Sequence, residues 1–117
     1  MVPSVVTIYH NPRCSKSRSA LALLREKGVE PTIIEYLQTP PTHAELEVIL
    51  AKLGMKAEQI VRKGEDVFKR KYSGKSLSDG QWLDALLNDP ILIERPIVVK
   101  GDRAVLGRPP ENVFELL

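Results

Sequence analysis

Val5-Val6-Thr7-Ile8-Tyr9 runs straight into His10-Asn11-Pro12-Arg13-Cys14-Ser15-Lys16-Ser17-Arg18, and an apolar-periodic segment follows as far as Lys27. The first run is β-branched and aromatic, which predicts a buried strand. Beyond the loop, Ala20, Leu21, Leu23 and Leu24 recur at helical spacing and predict an amphipathic helix. Cys14 therefore stands where a strand turns into a helix. The first amides of a helix have no intrahelical partner, and the helix dipole places partial positive charge there. A thiol at that point is biased toward thiolate, the nucleophilic form, and the same amides can hold an oxyanion. Arg13, Lys16 and Arg18 add fixed positive charge. One loop thus offers a nucleophile and an anion cradle. A lone cysteine is more often a small buried hydrophobe, but here its neighbours are Pro, Arg, Ser and Lys, which argue for an accessible thiol in positive surroundings.

Outward from this loop the pattern stays regular. Gly28 is placed to end the helix as a left-handed C-cap, and Pro31-Thr32-Ile33-Ile34-Glu35-Tyr36 predicts a second strand. Strand, helix and strand at this spacing make a βαβ unit with parallel strands. Thr39-Pro40-Pro41 breaks the chain, and Thr42-His43-Ala44-Glu45 reads as a capping box. Leu46, Ile49, Leu50 and Leu53 continue that helix until Gly54 stops it. His43 reads as a solvated first-turn residue. Residues 55–72 carry a weaker pattern, with two short helices expected over 57–62 and 66–71. Ser78-Asp79-Gly80-Gln81 is a second capping box, followed by Trp82, Leu83, Leu86 and Leu87 as a buried face.

Glu94-Arg95-Pro96-Ile97-Val98-Val99-Lys100 leads into a third strand, and Gly101-Asp102 is a hairpin turn. Arg103-Ala104-Val105-Leu106-Gly107 returns antiparallel. Arg108-Pro109-Pro110-Glu111 opens a last short helix whose expected apolar face is Val113, Phe114, Leu116 and Leu117. The order βαβ, helical insert, ββα predicts an α/β protein of α+β three-layer type, with a mixed four-stranded sheet between helices.

The 117 residues suit a single domain, 1–117, with a helical insert at about 42–90. Apolar content of 43% and charged content of 27% are ordinary for a globular chain. A net charge of +2 gives no argument for nucleic acid or a membrane surface as partner. One cysteine excludes an internal disulfide and fits a reducing compartment. There is no basic-then-apolar leader pattern, and no apolar run of the roughly 20 residues that span a bilayer. A cytoplasmic location is the expectation.

Around the thiol, several roles stay open at the level of sequence. His10 either orients the loop and helps depress the thiol pKa, or is a hydrogen-bonded structural residue. Ser17 stands where a Cys-x-x-Cys motif places its second thiol; its hydroxyl either donates to the thiolate or satisfies the first helical turn. Asn11 is placed to close the loop. Arg18 either binds the anion or pairs with an acidic neighbour.

A βαβ–ββα order with a cysteine at the first strand–helix turn is similar to the thioredoxin fold. Four blocks narrow this further: His10 to Arg18 as quoted above, the insert containing Arg62, Glu94-Arg95-Pro96-Ile97-Val98-Val99, and Gly107-Arg108-Pro109-Pro110-Glu111. Together, in this order, they resemble the ArsC family of glutaredoxin-linked arsenate reductases over nearly the whole chain. The resemblance implies reduction of arsenate to arsenite, with Cys14 attacking arsenate and glutathione and glutaredoxin supplying the remaining thiols. It implies no bound cofactor and no metal, with glutathione as co-substrate. It also implies that Arg62, Arg95 and Arg108 grip the oxyanion, and that the bond before Pro96 is cis. Ser15 and Lys16 replace a small residue and a threonine of the typical member, so Lys16 adds to anion binding or to docking of a protein partner.

Two rival readings are kept. One is a monothiol oxidoreductase acting on glutathione mixed disulfides, which needs Cys14 but not three arginines. The other is a non-enzymatic transcriptional regulator resembling Spx, most of which carry Cys-x-x-Cys where this chain has Ser17. A low-molecular-weight phosphatase type is rejected, because too few residues separate Cys14 from Arg18 for a loop of amides to ring the anion.

Overall fold

The computed structural model describes residues 5–117. The chain folds as two compact units, one made of the residues up to Thr39 together with Arg95–Leu117, the other of Pro40–Glu94. The first unit holds a four-stranded sheet. Its strands are β1 (Val6–His10), β2 (Thr32–Glu35), β3 (Ile97–Lys100) and β4 (Arg103–Leu106), in the spatial order β2-β1-β3-β4. β1 pairs parallel with β2 and antiparallel with β3, and β3 pairs antiparallel with β4. Helix α1 (Ser15–Glu26) connects the two parallel strands. This mixed sheet, with α1 as the βαβ crossover, is the thioredoxin-like α/β arrangement.

Strand alternation explains how the sheet receives its helix. Val6, Ile8 and His10 are all buried, while Thr7 and Tyr9 are less so. Successive side chains of a strand point to opposite faces, so His10 is the third inward position of β1. Ala20, Leu21 and Leu24 of α1 cover the apolar part of that face, joined by Val98, Val113 and Leu116. Burying a side chain such as Ile8 or Leu24 is worth roughly 1.5–3 kcal/mol. α1 ends as predicted: Gly28 has φ +78°, and the Val29 amide donates to the Leu24 carbonyl at 2.9 Å.

Three expectations shift. The first strand starts at Val6 rather than Val5, which is 67% exposed. The segment after Lys56 is a single 3-10 turn, Ala57–Ile60, because Val61 leaves it to bridge Ile93. The last helix, Pro110–Leu116, is 3-10 rather than α. Its buried residues, Pro110, Val113 and Leu116, recur every third position, the period of a 3-10 helix. Phe114, expected on the apolar face, is instead part-exposed under the ammonium of Lys27, 5.4 Å from its ring centroid.

The second unit is helical. α2 (His43–Leu53) and α4 (Asp79–Asn88) both begin with the predicted capping boxes, Thr42 with Glu45 and Ser78 with Gln81. α3 (Asp66–Lys71) places Phe68 in a stack on Trp82, with centroids 6.0 Å apart. The Tyr72 hydroxyl donates to Asp89 at 2.7 Å. Burial, then that hydrogen bond and charge, push the Tyr72 pKa up to about 12. His43 is exposed and paired with Glu47. Among the described residues no helix is long and apolar enough to cross a membrane.

Candidate active site

Strand polarity collects the chemistry at one end of the sheet. The Cys14 loop leaves the C-terminal end of β1. β3 runs antiparallel to β1 in the register Tyr9↔Ile97, so Arg95 and Pro96 arrive at that same end. β4 runs antiparallel to β3 with Leu106 opposite Ile97, so Gly107 and Arg108 leave there too. The Arg95–Pro96 bond is cis, as the resemblance implies; the Arg108–Pro109 bond is also cis, which no sequence feature announced.

Cys14 is the N-cap of α1, in extended conformation at φ −92° and ψ 123°. It is partly buried, and no acidic residue occupies the first turn behind it. Burial alone would push the thiol pKa up. The Ser17 amide, a hydrogen bond from the Arg95 side chain, the Lys16 amide and the charge of Arg95 together outweigh burial and hold the thiol below its ordinary value. Arg108 adds a second guanidinium, its Nη1 standing 3.9 Å from Sγ. The same Nη1 donates to the Arg95 carbonyl at 3.2 Å, which ties the two arginine segments together.

The loop is shaped by a buried polar cluster. Ser17 Oγ accepts from the Asn11 amide at 3.0 Å and lies 2.9 Å from His10 Nδ1. His10, Asn11 and Ser17 are all buried. Burial, the largest influence, holds the His10 pKa below its ordinary value; Glu35 opposes this and Arg18 and Arg25 reinforce it. The ring is therefore neutral near pH 7; it shares one hydrogen bond with the Ser17 hydroxyl, whose oxygen also accepts from the Asn11 amide. The Asn11 carbonyl accepts from the Cys14 amide at 2.9 Å, and its side-chain oxygen accepts from the Arg13 amide at 3.0 Å.

The contacts of the four flanking residues are these. The hydroxyl of Ser17 serves His10 and Asn11, and its amide is what lowers the thiol pKa. His10 is a neutral, hydrogen-bonded residue at the end of the apolar layer. Asn11 closes the loop. Among the described residues Arg18 has no acidic partner and does not touch the sulfur; it donates to the Pro12 carbonyl at 2.9 Å.

A sequence model described as the ArsC family matches residues 9–116. The chain belongs to the ArsC family. It is 48% identical over 114 residues to the uncharacterized protein YfgD of Escherichia coli (strain K12), covering 96% of each. It is 47% identical over 113 residues to the arsenate reductase of Rhizobium meliloti (strain 1021), covering 96% of this chain and 81% of the relative. A solved arsenate reductase from Vibrio cholerae matches with a TM-score of 0.94 and 45% identity, over 99% of this chain and 100% of that one.

The third arginine expected of an ArsC member, Arg62, lies in the helical unit. Its Nε donates to Glu65 at 3.1 Å and its Nη1 to Glu94 at 2.8 Å. Burial would lower its pKa, but these two carboxylates raise it further. Sequence reasoning did not single out either glutamate. It also missed Asn112, whose side-chain amide donates to the carbonyls of Leu106 and Arg108 at 3.1 and 3.2 Å. An Asn in the first turn of a helix, two residues beyond Pro-Pro, is a recognisable turn residue, which is the signal that was available.

Proposed function

We propose that this protein reduces arsenate to arsenite, with Cys14 as the nucleophile. Support comes from membership of a family that includes arsenate reductases, and above all from one observation: the only thiol lies 3.9 Å from the Arg108 guanidinium and has a lowered pKa.

The electrostatics explain why arginines belong there. Arsenate near neutral pH is largely a dianion, so a thiolate approaching to about 4 Å meets a repulsion of roughly 8 kcal/mol at an effective dielectric of 20. Two guanidinium groups at similar distances offset a term of that size. Guanidinium stays ionised and grips two oxygens with a planar fork, and it stabilises charge as the transition state forms. In the proposed reaction Arg95 and Arg108 hold the oxyanion beside the Lys16 and Ser17 amides, with Arg62 as the third arginine of the family's pattern. His10, Asn11, Ser17 and Arg18 shape the loop.

The Cys14 thiolate displaces one arsenate oxygen, which leaves as water after protonation, and an S–As bond forms. The electron pair that reduces arsenic comes from two thiols that end as a disulfide. The chain has one cysteine, so the second thiol is external. Glutathione is the co-substrate in this reading and glutaredoxin the protein thiol partner.

The test is arsenite formation from arsenate with glutathione, glutaredoxin and a recycling system, comparing the protein with Cys14→Ser. Turnover that disappears in the variant is expected. No turnover from a protein whose Cys14 still alkylates rapidly would overturn the reading in favour of another electrophile, such as a glutathione mixed disulfide.

A further inference from the structure

Gly107 stands between the two arginines that flank the sulfur. Its amide donates to the Pro96 carbonyl at 2.8 Å. A Cβ built on it would lie 2.7 Å from Pro96 Cγ, 3.3 Å from Ala20 Cβ and 3.4 Å from Pro96 Cδ. The first of these distances is far inside van der Waals contact, and Pro96 is a ring in a buried position with no flexible end to yield. Gly107 has no positive φ, so its backbone conformation alone does not demand glycine. What demands it is the close approach of two chain segments. One of those segments carries Arg95, immediately before Pro96, and the other carries Arg108, immediately after Gly107.

We propose that Gly107 is a positioning residue for the oxyanion site: the missing side chain lets β4 close onto Pro96 and so sets Arg95 and Arg108 at their working distance from Cys14. Asn112 holds the same segment by bridging the carbonyls of Leu106 and Arg108. This inference rests on the reading that Cys14 and the two arginines act on an oxyanion. Gly107 itself touches neither sulfur nor anion; it acts through its neighbours. A methyl group at 107 pushes Pro96 and Arg95 away from α1, and with them the guanidinium that favours the thiolate.

Two readouts test this on Gly107→Ala, with circular dichroism and thermal unfolding as fold controls. One is the pH profile of Cys14 alkylation; the other is the arsenate concentration that half-protects Cys14 from alkylation. The expected result is a folded variant whose alkylation midpoint rises by about half a pH unit and whose half-protecting arsenate concentration rises at least about threefold. Asn112→Ala, which adds no bulk, is expected to weaken arsenate protection in the same direction. A folded Gly107→Ala with the parent's profile and protection overturns the proposal. So does a Gly107→Ala that fails to fold alongside an Asn112→Ala with unchanged protection, since the glycine would then serve the fold alone. If the parent protein itself gains no protection from arsenate, the arsenate reading fails; the alkylation midpoint of Gly107→Ala still decides whether this residue positions Arg95.

Discussion

Arg108 donates from Nη1 to the main-chain carbonyl of Arg95 at 3.2 Å while the same nitrogen stands 3.9 Å from the Cys14 sulfur. The two arginines are therefore one unit. The carbonyl contact fixes the Arg108 head beside the sulfur. Two guanidinium groups thus stand beside one thiol.

Replacing Arg95 by Lys preserves the charge and removes the fork. A lysine is a point charge with no planar pair of donors. Loss of one oxyanion donor typically costs about 10²–10³ in kcat, so Arg95→Lys should lose arsenate turnover by roughly that factor. Steady-state arsenite formation measures this, and a loss under about threefold would show that geometry matters little.

The lowered pKa of Cys14 carries a stability consequence with a definite sign. The folded state favours the thiolate, so Cys14 contributes stability that is fully present above the ordinary thiol value of about 8.5. That contribution is lost as pH falls through the folded value. Urea unfolding of the parent and Cys14→Ser across this window should show a difference that grows with rising pH. A constant difference would contradict the thiolate assignment.

Ser17→Ala removes the oxygen shared by the Asn11 amide and His10 Nδ1. Both partners are buried, and leaving buried polar groups unmet costs about 1–3 kcal/mol each. Urea unfolding should record a loss of that order. His10, held neutral by burial, has a folded pKa below its ordinary value. Its share of stability is therefore present above about 6.5 and is lost as pH falls below that. An NMR titration of the imidazole should give a midpoint below 6.5 in the parent; a midpoint above it would mean the ring is charged within the cluster.

Arg62 is held by Glu65 and Glu94, with side chains 22%, 25% and 25% exposed. This burial lies between surface and interior pairs, so Arg62→Ala should cost roughly 1–3 kcal/mol. It should exceed the cost of Glu94→Gln, because it removes both ion pairs of Arg62 rather than one. As the third arginine of the proposed oxyanion grip, Arg62→Ala should also depress arsenate turnover, whereas Glu94→Gln retains the guanidinium. Thermal unfolding and arsenite assays on both variants separate the two contributions.

Much of this was legible in the chain because local signals agreed. The alternation through Val6, Ile8 and His10, the leucines of α1 and two capping boxes each point to the element that forms. Cys14 could be picked out because the switch from period two to period 3.6 falls on it. The side-chain destinations in the loop were less legible. Ser17 offers one hydroxyl, and only the burial of His10 beneath α1 decides where it points. Gly107 read simply as the end of a strand, since its steric demand comes from Pro96, a neighbour brought in by strand pairing. A 3.6 period puts Phe114 and Leu117 on the apolar face of the last helix, whereas Pro110, Val113 and Leu116, the residues it buries, fit a period of three.

The sulfur and its second guanidinium are separated by 94 positions in the chain. On the ribosome, Cys14 emerges early, and Arg95 and Arg108 follow only after the helical unit has been made. Until β3 and β4 pair with β1, the thiol has at most the amides of its own helix to favour the charged form. A reactive thiolate exposed on a half-made chain would be open to oxidation and to adventitious metals. This order of synthesis defers much of its activation until the fold that guards it is closed.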